Sequence, residues 1–547
     1  LANIIRPPCD EGVLFSGKAE SPCSPSVGVW VLVATILGSS MGFIDGSVVN
    51  VALPAIQSQL GANAVEAQWI VESYALFLAA LILVGGSLGD HLGRRRIFSV
   101  GIVVFALASV WCGFAPSPEQ LIVARAVQGI GGAMLIPGSL AIISASFSQE
   151  RRGKAIGTWA AFSGITSVLG PVLGGYLVET LSWRWVFFIN IPLAAAVLAI
   201  TLTRVPESRD EQARKLDPWG AVLATVGLGG LVFGLIESSS LGLADPLVIS
   251  SLAVGVAALV AFVFAELRVE EPMMPLHLFR SRNFTGANTF TLLLYFALGG
   301  ALFFLPFNLI QVQGYTATAA GAAFVPAIVL MFFLSRYTGA ITDRFGPRLP
   351  LVVGPAIAAV GFALFTLPGA DANAGSGSYW NTFFPAVIVL GLGLSILVPN
   401  LTTVAMNSVT GQQSGLASGV NNAFSRVASL LAIAVLGVLM FAVFSPALDS
   451  RVTGLDLSSQ QRAQLEERKV DLGAAQPPDG VSAQTAAAVE RAVAESYVAG
   501  FRWVMIVCAG LALASALSAA FLIQGKPATA NPAGEGSRSD EPEAQRA

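Results

Sequence analysis

Three charged side chains stand where an apolar chain can least accommodate them. They are Asp45 in IDGSVVNVALPAI, Glu72 in AQWIVESYALF and Arg125 in ARAVQGIGGA. A carboxylate within a bilayer can take up and release a proton. A guanidinium there costs about 2.5–3.5 kcal/mol on insertion scales, so each is functional by default. Asp45 is the first candidate for a proton-carrying group. Glu72, near the start of its apolar run, is a candidate second proton site or an attractor of cationic ligands. Arg426, near the middle of a later run, is a candidate cavity residue, and pairing with a carboxylate across the bundle is an equally good account of it. Asn50, Gln128, Gln311, Gln313, Asn400 and Asn407 are candidate cavity-lining groups, though polar contact between helices explains such residues equally well. The chemistry of an enzyme is missing. Two histidines and four scattered cysteines form no metal-ligand pattern. No nucleophile–base constellation converges, and no GxxxxGK[ST] loop cradles a nucleotide. Neither metal nor cofactor is expected.

The elements that position these groups must be membrane helices. Hydrophobic residues make up 54% and charged residues 12% of the 547 residues, against about 25% charged in a soluble protein, and the mean hydropathy is +0.71. At about 20 apolar residues per crossing, fourteen spans are expected: 28–53, 67–88, 97–115, 121–147, 153–179, 184–204, 217–238, 246–267, 284–312, 318–340, 349–368, 380–409, 414–444 and 500–523. Arg and Lys concentrate in the loops after even-numbered spans, among them Arg94, Arg95, Arg96, Arg151, Arg152, Lys154, Arg280 and Arg348. Those loops, and hence both termini, are expected on the cytoplasmic side of a plasma (inner) membrane. Residues 445–499 read as an extracytoplasmic helical hairpin split by Pro477 and Pro478, and 525–547 as a disordered polar tail.

The sequence also repeats itself. Gly86, Asp90, Gly93 and Arg95 align without gaps on Gly339, Asp343, Gly346 and Arg348, and GIGGAMLIP (129–137) on GLGLSILVP (391–399). A duplicated membrane unit follows, with a site between the halves near the midplane. The expected fold is all-α and polytopic. It has a cytoplasmic segment 1–26, a six-helix bundle 27–205, a linker 206–282 carrying two inserted membrane helices, and a second six-helix bundle 283–524.

These motifs resemble the major facilitator superfamily, specifically its fourteen-span drug:proton antiporter family. The resemblance covers roughly 28–524 and rests on four signatures. Gly86, Asp90, Gly93, Arg94 and Arg95 match the loop after span 2, which in the family latches the halves and gates the switch; its second copy is Asp343, Gly346 and Arg348. His91 stands where the family usually has Arg, and Pro347 replaces an Arg in the second copy. Arg125, with Gln128, matches the span 4 motif that the family uses in proton coupling. Gly170, Pro171, Gly174 and Gly175 match the span 5 motif of exporters that exchange substrate for protons. Asp45, Asn50 and Pro54 match the span 1 motif, with Ser47 in place of the family's Thr.

The resemblance implies a transporter, not an enzyme: a proton-driven multidrug efflux antiporter conferring antibiotic resistance. Surplus carboxylate at Asp45 and Glu72 points to lipophilic cations as cargo, displaced by protons on the same acids. The alternative is an exporter of one metabolite, antibiotic or lipid; a nutrient symporter is disfavoured by the span 5 motif. The expected partners are a small lipophilic substrate, protons and membrane lipid, with 445–499 the candidate contact for an envelope protein and no role for nucleic acid.

Overall fold

The structure is a computed structural model that describes residues 25–210, 217–269, 272–334, 346–370, 379–407 and 414–524. Those residues are almost wholly helical and contain no strand. Residues 1–24 of the expected segment 1–26 and all of 525–547, and with them Cys9 and Cys23, lie outside the described residues, as do Gly339 and Asp343.

The first half comprises α1 (Pro25–Leu60), α2 (Ala64–Leu92), α3 (Arg94–Phe114), α4 (Pro118–Ser146), α5 (Gln149–Thr180) and α6 (Trp185–Arg204). α7 (Pro218–Leu241) and α8 (Pro246–Arg268) follow. The second half comprises α9 (Arg282–Phe307), α10 (Ala317–Leu334), α11 (Arg348–Leu364), α12 (Phe384–Asn407), α13 (Ser414–Val452) and α15 (Ala483–Leu522), with a short α14 (Ser459–Arg468) before the last. A helix lies at every expected span. Among the described residues, eleven helices are long and apolar enough to cross a membrane, and α11 and part of α12 are shorter apolar helices.

Glycines set the helix spacing, and they do so twice. A Cβ on Gly131 of α4 would stand 2.7 Å from the Phe105 amide nitrogen of α3, and one on Gly101 would stand 3.0 Å from the Gly131 carbonyl oxygen. In the second half Gly393 of α12 stands in the same relation to Ala358 of α11 (2.6 Å), and Gly354 to the Gly393 carbonyl (3.0 Å). Gly129 meets the Tyr74 carbonyl of α2, while its counterpart Gly391 meets Ala327 of α10. The internal repeat is thus a repeated set of backbone contacts, of the kind small residues permit where apolar burial gives helices no reason to associate.

The inserted pair docks through one member. α7 packs against α2 and α13, and α8 packs on α7 through Gly227, Gly230, Gly234 and Gly255. Trp69 Nε1 donates to Glu237 Oε1 at 2.9 Å, tying α2 to α7. Glu237 is therefore an acceptor for a tryptophan of the first half. Val254, Val260, Phe264 and Leu267 of α8 are exposed, as a lipid-facing helix requires.

Residues 445–499 depart from the expected hairpin. α13 runs on through Pro446 to Val452, and α15 is one helix of 40 residues from Ala483. The second expected arm is thus the extension of the last membrane helix, because no proline interrupts 483–522. What lies between is α14 and a 3₁₀ turn, Lys469–Ala474. That turn packs against α2, α13, α15 and the π turn Asn308–Val312 that ends α9, so it touches both halves. Lys469 is buried and bridges Asp449 (2.7 Å) and Glu466 (2.5 Å). Leu472 is buried with φ of 52°, a conformation that non-glycine residues rarely hold.

Candidate functional site

Five helices of the first half converge on Asp45. The carboxylate is 0% exposed. Arg125 Nη1 of α4 donates to its Oδ2. Gln128 Nε2 of α4 and Asn190 Nδ2 of α6 donate to its Oδ1 at 2.8 and 3.1 Å. Ser109 of α3 accepts from the same two amides at 2.9 and 3.3 Å. Arg125, 1% exposed, also donates through Nε to the Ile70 carbonyl of α2 (3.1 Å) and through Nη1 to Gln128 Oε1 (2.7 Å). Its guanidinium carbon lies 4.3 Å from the centroid of the Tyr74 ring, also on α2. A buried charge is tolerable only when paired and hydrogen-bonded, and here each partner has other donors or acceptors as well.

Sequence motifs locate Asp45, Arg125 and Gln128. They miss Ser109, Asn190 and Tyr74, which complete the cage. Asn190 had a signal in FFINIPL, a lone amide within an apolar run.

Glu72 is also 0% exposed, but neither carboxylate oxygen has a hydrogen-bond partner. On its helix it lies between Gln68, which abuts Gly437 of α13, and Leu76, which clusters with Leu430 and Ala434 of α13 and Val232 of α7. Glu72 is therefore enclosed at the seam of α2, α7 and α13, one turn from each neighbour. It is not on an open wall, which weakens the case for it as an attractor of cations.

The span 5 motif packs closely on two sides. A side chain on Gly170 would meet Ser47, and one on Gly174 would meet Val48, both on α1. One on Gly175 would meet the Ala317 carbonyl of α10, while Gly321 of α10 abuts the Pro171 carbonyl. α5 thus packs backbone to backbone against the other half. Glu179 Oε2 accepts from the Thr318 amide at 3.3 Å beside this contact.

The basic loop after α2 turns at Gly93 (φ 108°). Arg94 Nε donates to Asp90 Oδ1 at 2.8 Å. The Arg95 amide donates to Glu207 Oε1 at 2.9 Å, and the Arg95 and Arg96 side chains lie 3.8 and 3.6 Å from Oε2. Glu207 follows α6, and nothing in the sequence singles it out. These contacts join the loop to the start of the linker after α6, and none of them reaches the second half. Gly86 lies near Pro137 of α4, in the first half. Gly346 has φ of 80°, and Arg348 donates to the Ala520 carbonyl of α15. Asp343 is outside the described residues.

The candidate cavity residues separate. Gln311 Nε2 donates to Gln57 Oε1 of α1 at 3.0 Å, closing the halves where the 3₁₀ turn packs. Gln313 donates to the Gly369 carbonyl at 2.8 Å and Asn400 to the Ile396 carbonyl of its own helix at 2.7 Å. Asn407 carries no described side chain. Asn50 Oδ1 is buried without a partner. A carboxylate partner is one of the two accounts of Arg426. Its guanidinium carbon instead lies 5.5 Å from the Phe43 ring centroid on α1, and no carboxylate bridges it among the described residues.

Fold and site define the class: a duplicated helical bundle that spans the membrane many times, with a charge pair sealed in one half. The chain belongs to the Major Facilitator Superfamily, whose sequence pattern matches residues 35–447. It is 32% identical over 517 residues to the tetracenomycin C resistance and export protein of Streptomyces glaucescens, covering 94% of this chain and 95% of that one. It is 34% identical over 446 residues to the multidrug resistance protein Stp of Mycobacterium tuberculosis, covering 80% and 81%. The methylenomycin A resistance protein of Bacillus subtilis is 32% identical over 429 residues, covering 78% and 90%. Among solved structures, the POT family transporter PepTSo matches with a TM-score of 0.62 at 14% identity, covering 91% of this chain and 98% of that one. An inward-facing bacterial homolog of the lysosomal transporter Spinster matches with a TM-score of 0.59 at 17% identity, covering 90% and 98%. The family and these relatives make the chain a membrane transporter rather than an enzyme.

Proposed function

We propose that this chain is a proton-coupled antiporter that exports lipophilic compounds from the cell. One observation carries the reading: Asp45 of α1 and Arg125 are sealed from solvent in a cage of neutral polar groups drawn from α2, α3, α4 and α6. A structural ion pair of this depth is often neutral or unfavourable compared with apolar packing. A titratable one supplies a group whose protonation changes what five helices hold on to. Protonating Asp45 removes the charge that Arg125 answers, and the guanidinium then needs another partner. That is a two-state element a proton can bias.

In this reading the chain has fourteen spans with both termini cytoplasmic, in two six-helix halves flanking the inserted pair α7 and α8. Asp45 and Arg125 carry the coupling, and Glu72 is a second proton site. The basic loops at Gly93 and Gly346 gate the cytoplasmic end. Gly170, Pro171, Gly174 and Gly175 let the halves rock on α5. Gln57, Gln311 and the Lys469–Ala474 turn close the outer end, leaving the substrate path open to the inside. All three relatives are drug or antibiotic resistance proteins and one is also an export protein, which supports outward transport.

The test uses everted vesicles in which respiration acidifies the lumen. An exported compound, found from a panel of lipophilic drugs and dyes, collapses the pH gradient on addition. Asp45→Asn vesicles of equal expression should show no collapse. A full response in that variant would make the ion pair structural.

A further inference from the structure

Among the described residues, no carboxylate forms an ion pair with Arg426. It is half-buried on α13, in the second half, and its guanidinium carbon lies 5.5 Å from the ring centroid of Phe43 in the first half. Phe43 is two residues from Asp45, so Arg426 lies at the depth of the coupling pair. It also lies within electrostatic reach of Tyr74 and Tyr295. The carboxylates that would answer it are committed or shut away. Asp45 accepts from three donors, and Glu72 is enclosed at another seam. Phe43, Gly46 and Asn50 recur at helical spacing along α1 and are all half-buried. A Cβ on Gly46 would have nothing within 4 Å, so open space adjoins this stripe. Two turns from Phe43, Asn50 presents an amide whose oxygen is buried without a partner.

We propose that Arg426 is the recognition group for an acidic cargo: an aromatic compound whose carboxylate or ionised phenol sits on Arg426, with its ring along the Phe43–Asn50 stripe. This rests on the transport reading above and reverses the cationic cargo that the acidic residues alone suggest. A guanidinium binds a planar carboxylate through two parallel hydrogen bonds, and in a low dielectric such charge-assisted bonds are about twice as strong as neutral ones. The same group repels a lipophilic cation. Arg426 also joins the two halves at this depth, so a bound anion would neutralise the charge that the halves must carry past Phe43 when they rock.

Purified protein in nanodiscs is titrated with three pyrene probes of equal body: 1-pyrenebutyrate, 1-pyrenebutanol and a pyrenebutyl-trimethylammonium salt. Signal from empty nanodiscs is subtracted. The wild type should bind the carboxylate at least about tenfold more tightly than the alcohol, as one charge-assisted contact allows, and the cation most weakly. Arg426→Gln should bind carboxylate and alcohol alike, and Arg426→Lys should keep part of the preference. A wild type that binds the cation as tightly as the carboxylate overturns the proposal, as does an Arg426→Gln protein with unchanged order. The wild-type order needs no variant, so a variant that fails to fold leaves the test standing. Loss of the anion preference with pH-driven export intact removes the cargo class alone. Absence of pH-driven export for every compound removes the reading beneath it.

Discussion

Replacing Asp45 by Asn keeps the size of the side chain and removes its charge. The carboxylate accepts from Arg125 on one oxygen and from Gln128 and Asn190 on the other. An amide has one oxygen. If that oxygen faces Gln128 and Asn190, the amide N–H groups confront the guanidinium; if it faces Arg125, they confront two other amide donors. Either way a buried donor is stranded, at about 1–3 kcal/mol. Breaking a buried pair with the charge left behind costs about 3–5 kcal/mol. Arg125 keeps its bonds to Ile70 and Gln128, so the lower end applies: about 3 kcal/mol. Coupling should fail completely. One proton exchanged per cycle supports about a tenfold substrate gradient per pH unit, since one unit is about 1.4 kcal/mol, and the variant should support none. The assay is the steady-state substrate ratio across vesicles at fixed ΔpH, alongside thermal melting of purified protein. Arg125→Gln removes the stranded charge, so the double variant Asp45→Asn/Arg125→Gln should be less destabilised than the sum of the singles. An Asp45→Asn protein that melts like the wild type and still builds a pH-dependent gradient refutes the reasoning.

Three further outcomes follow from other parts of the fold. Gly174→Leu should abolish flux while the protein still inserts, because its side chain would enter the space of Val48 on α1; overpacking of this kind costs about 1–3 kcal/mol or more, and normal exchange in a well-expressed variant would show α5 to be an ordinary packing helix. Glu72→Gln should melt within a few degrees of the wild type, since neither oxygen holds a partner to lose, and should slow export of neutral, cationic and anionic compounds to the same extent; a selective loss of cations would place Glu72 on the substrate path. Burial of Asp471 in the 3₁₀ turn, together with the nearby charge of Glu66 and against that of Arg468, holds its carboxyl above the usual range. The docked turn therefore binds a proton more tightly than the released one, and docking should weaken as pH rises from the ordinary aspartate range through the raised one. Labelling of Gln57→Cys from outside should then increase with pH in the wild type and lose that dependence in Asp471→Asn.

The legible parts of this molecule are those with a strong signal in one residue. Asp45 and Arg125 stand out because charge in an apolar run is costly, and the repeat is visible because Gly131 and Gly393 admit no side chain against α3 and α11. Asn190 and Ser109 are less legible, since neutral polar residues recur throughout membrane helices without a common role. Glu207 lies in a polar linker where carboxylates are ordinary, so its grip on the Arg95 loop shows only in three dimensions. Gln311 reads from its chemistry as either a cavity-lining group or polar contact between helices, and its position in the last turn of its span puts it near the end of the bundle. Arg426 was visible as a charge, but sequence could not show that the nearest carboxylates were taken.

The most direct measurement of proton-coupled transport uses purified protein alone in liposomes, with an imposed pH gradient and no ATP or sodium. A compound from the export panel should accumulate on the acidic side, in step with a measured proton efflux, to about tenfold per pH unit for each coupled proton. Both fluxes should vanish when an ionophore collapses the gradient. Accumulation that ignores the gradient, or that proceeds with no proton movement, would contradict the account.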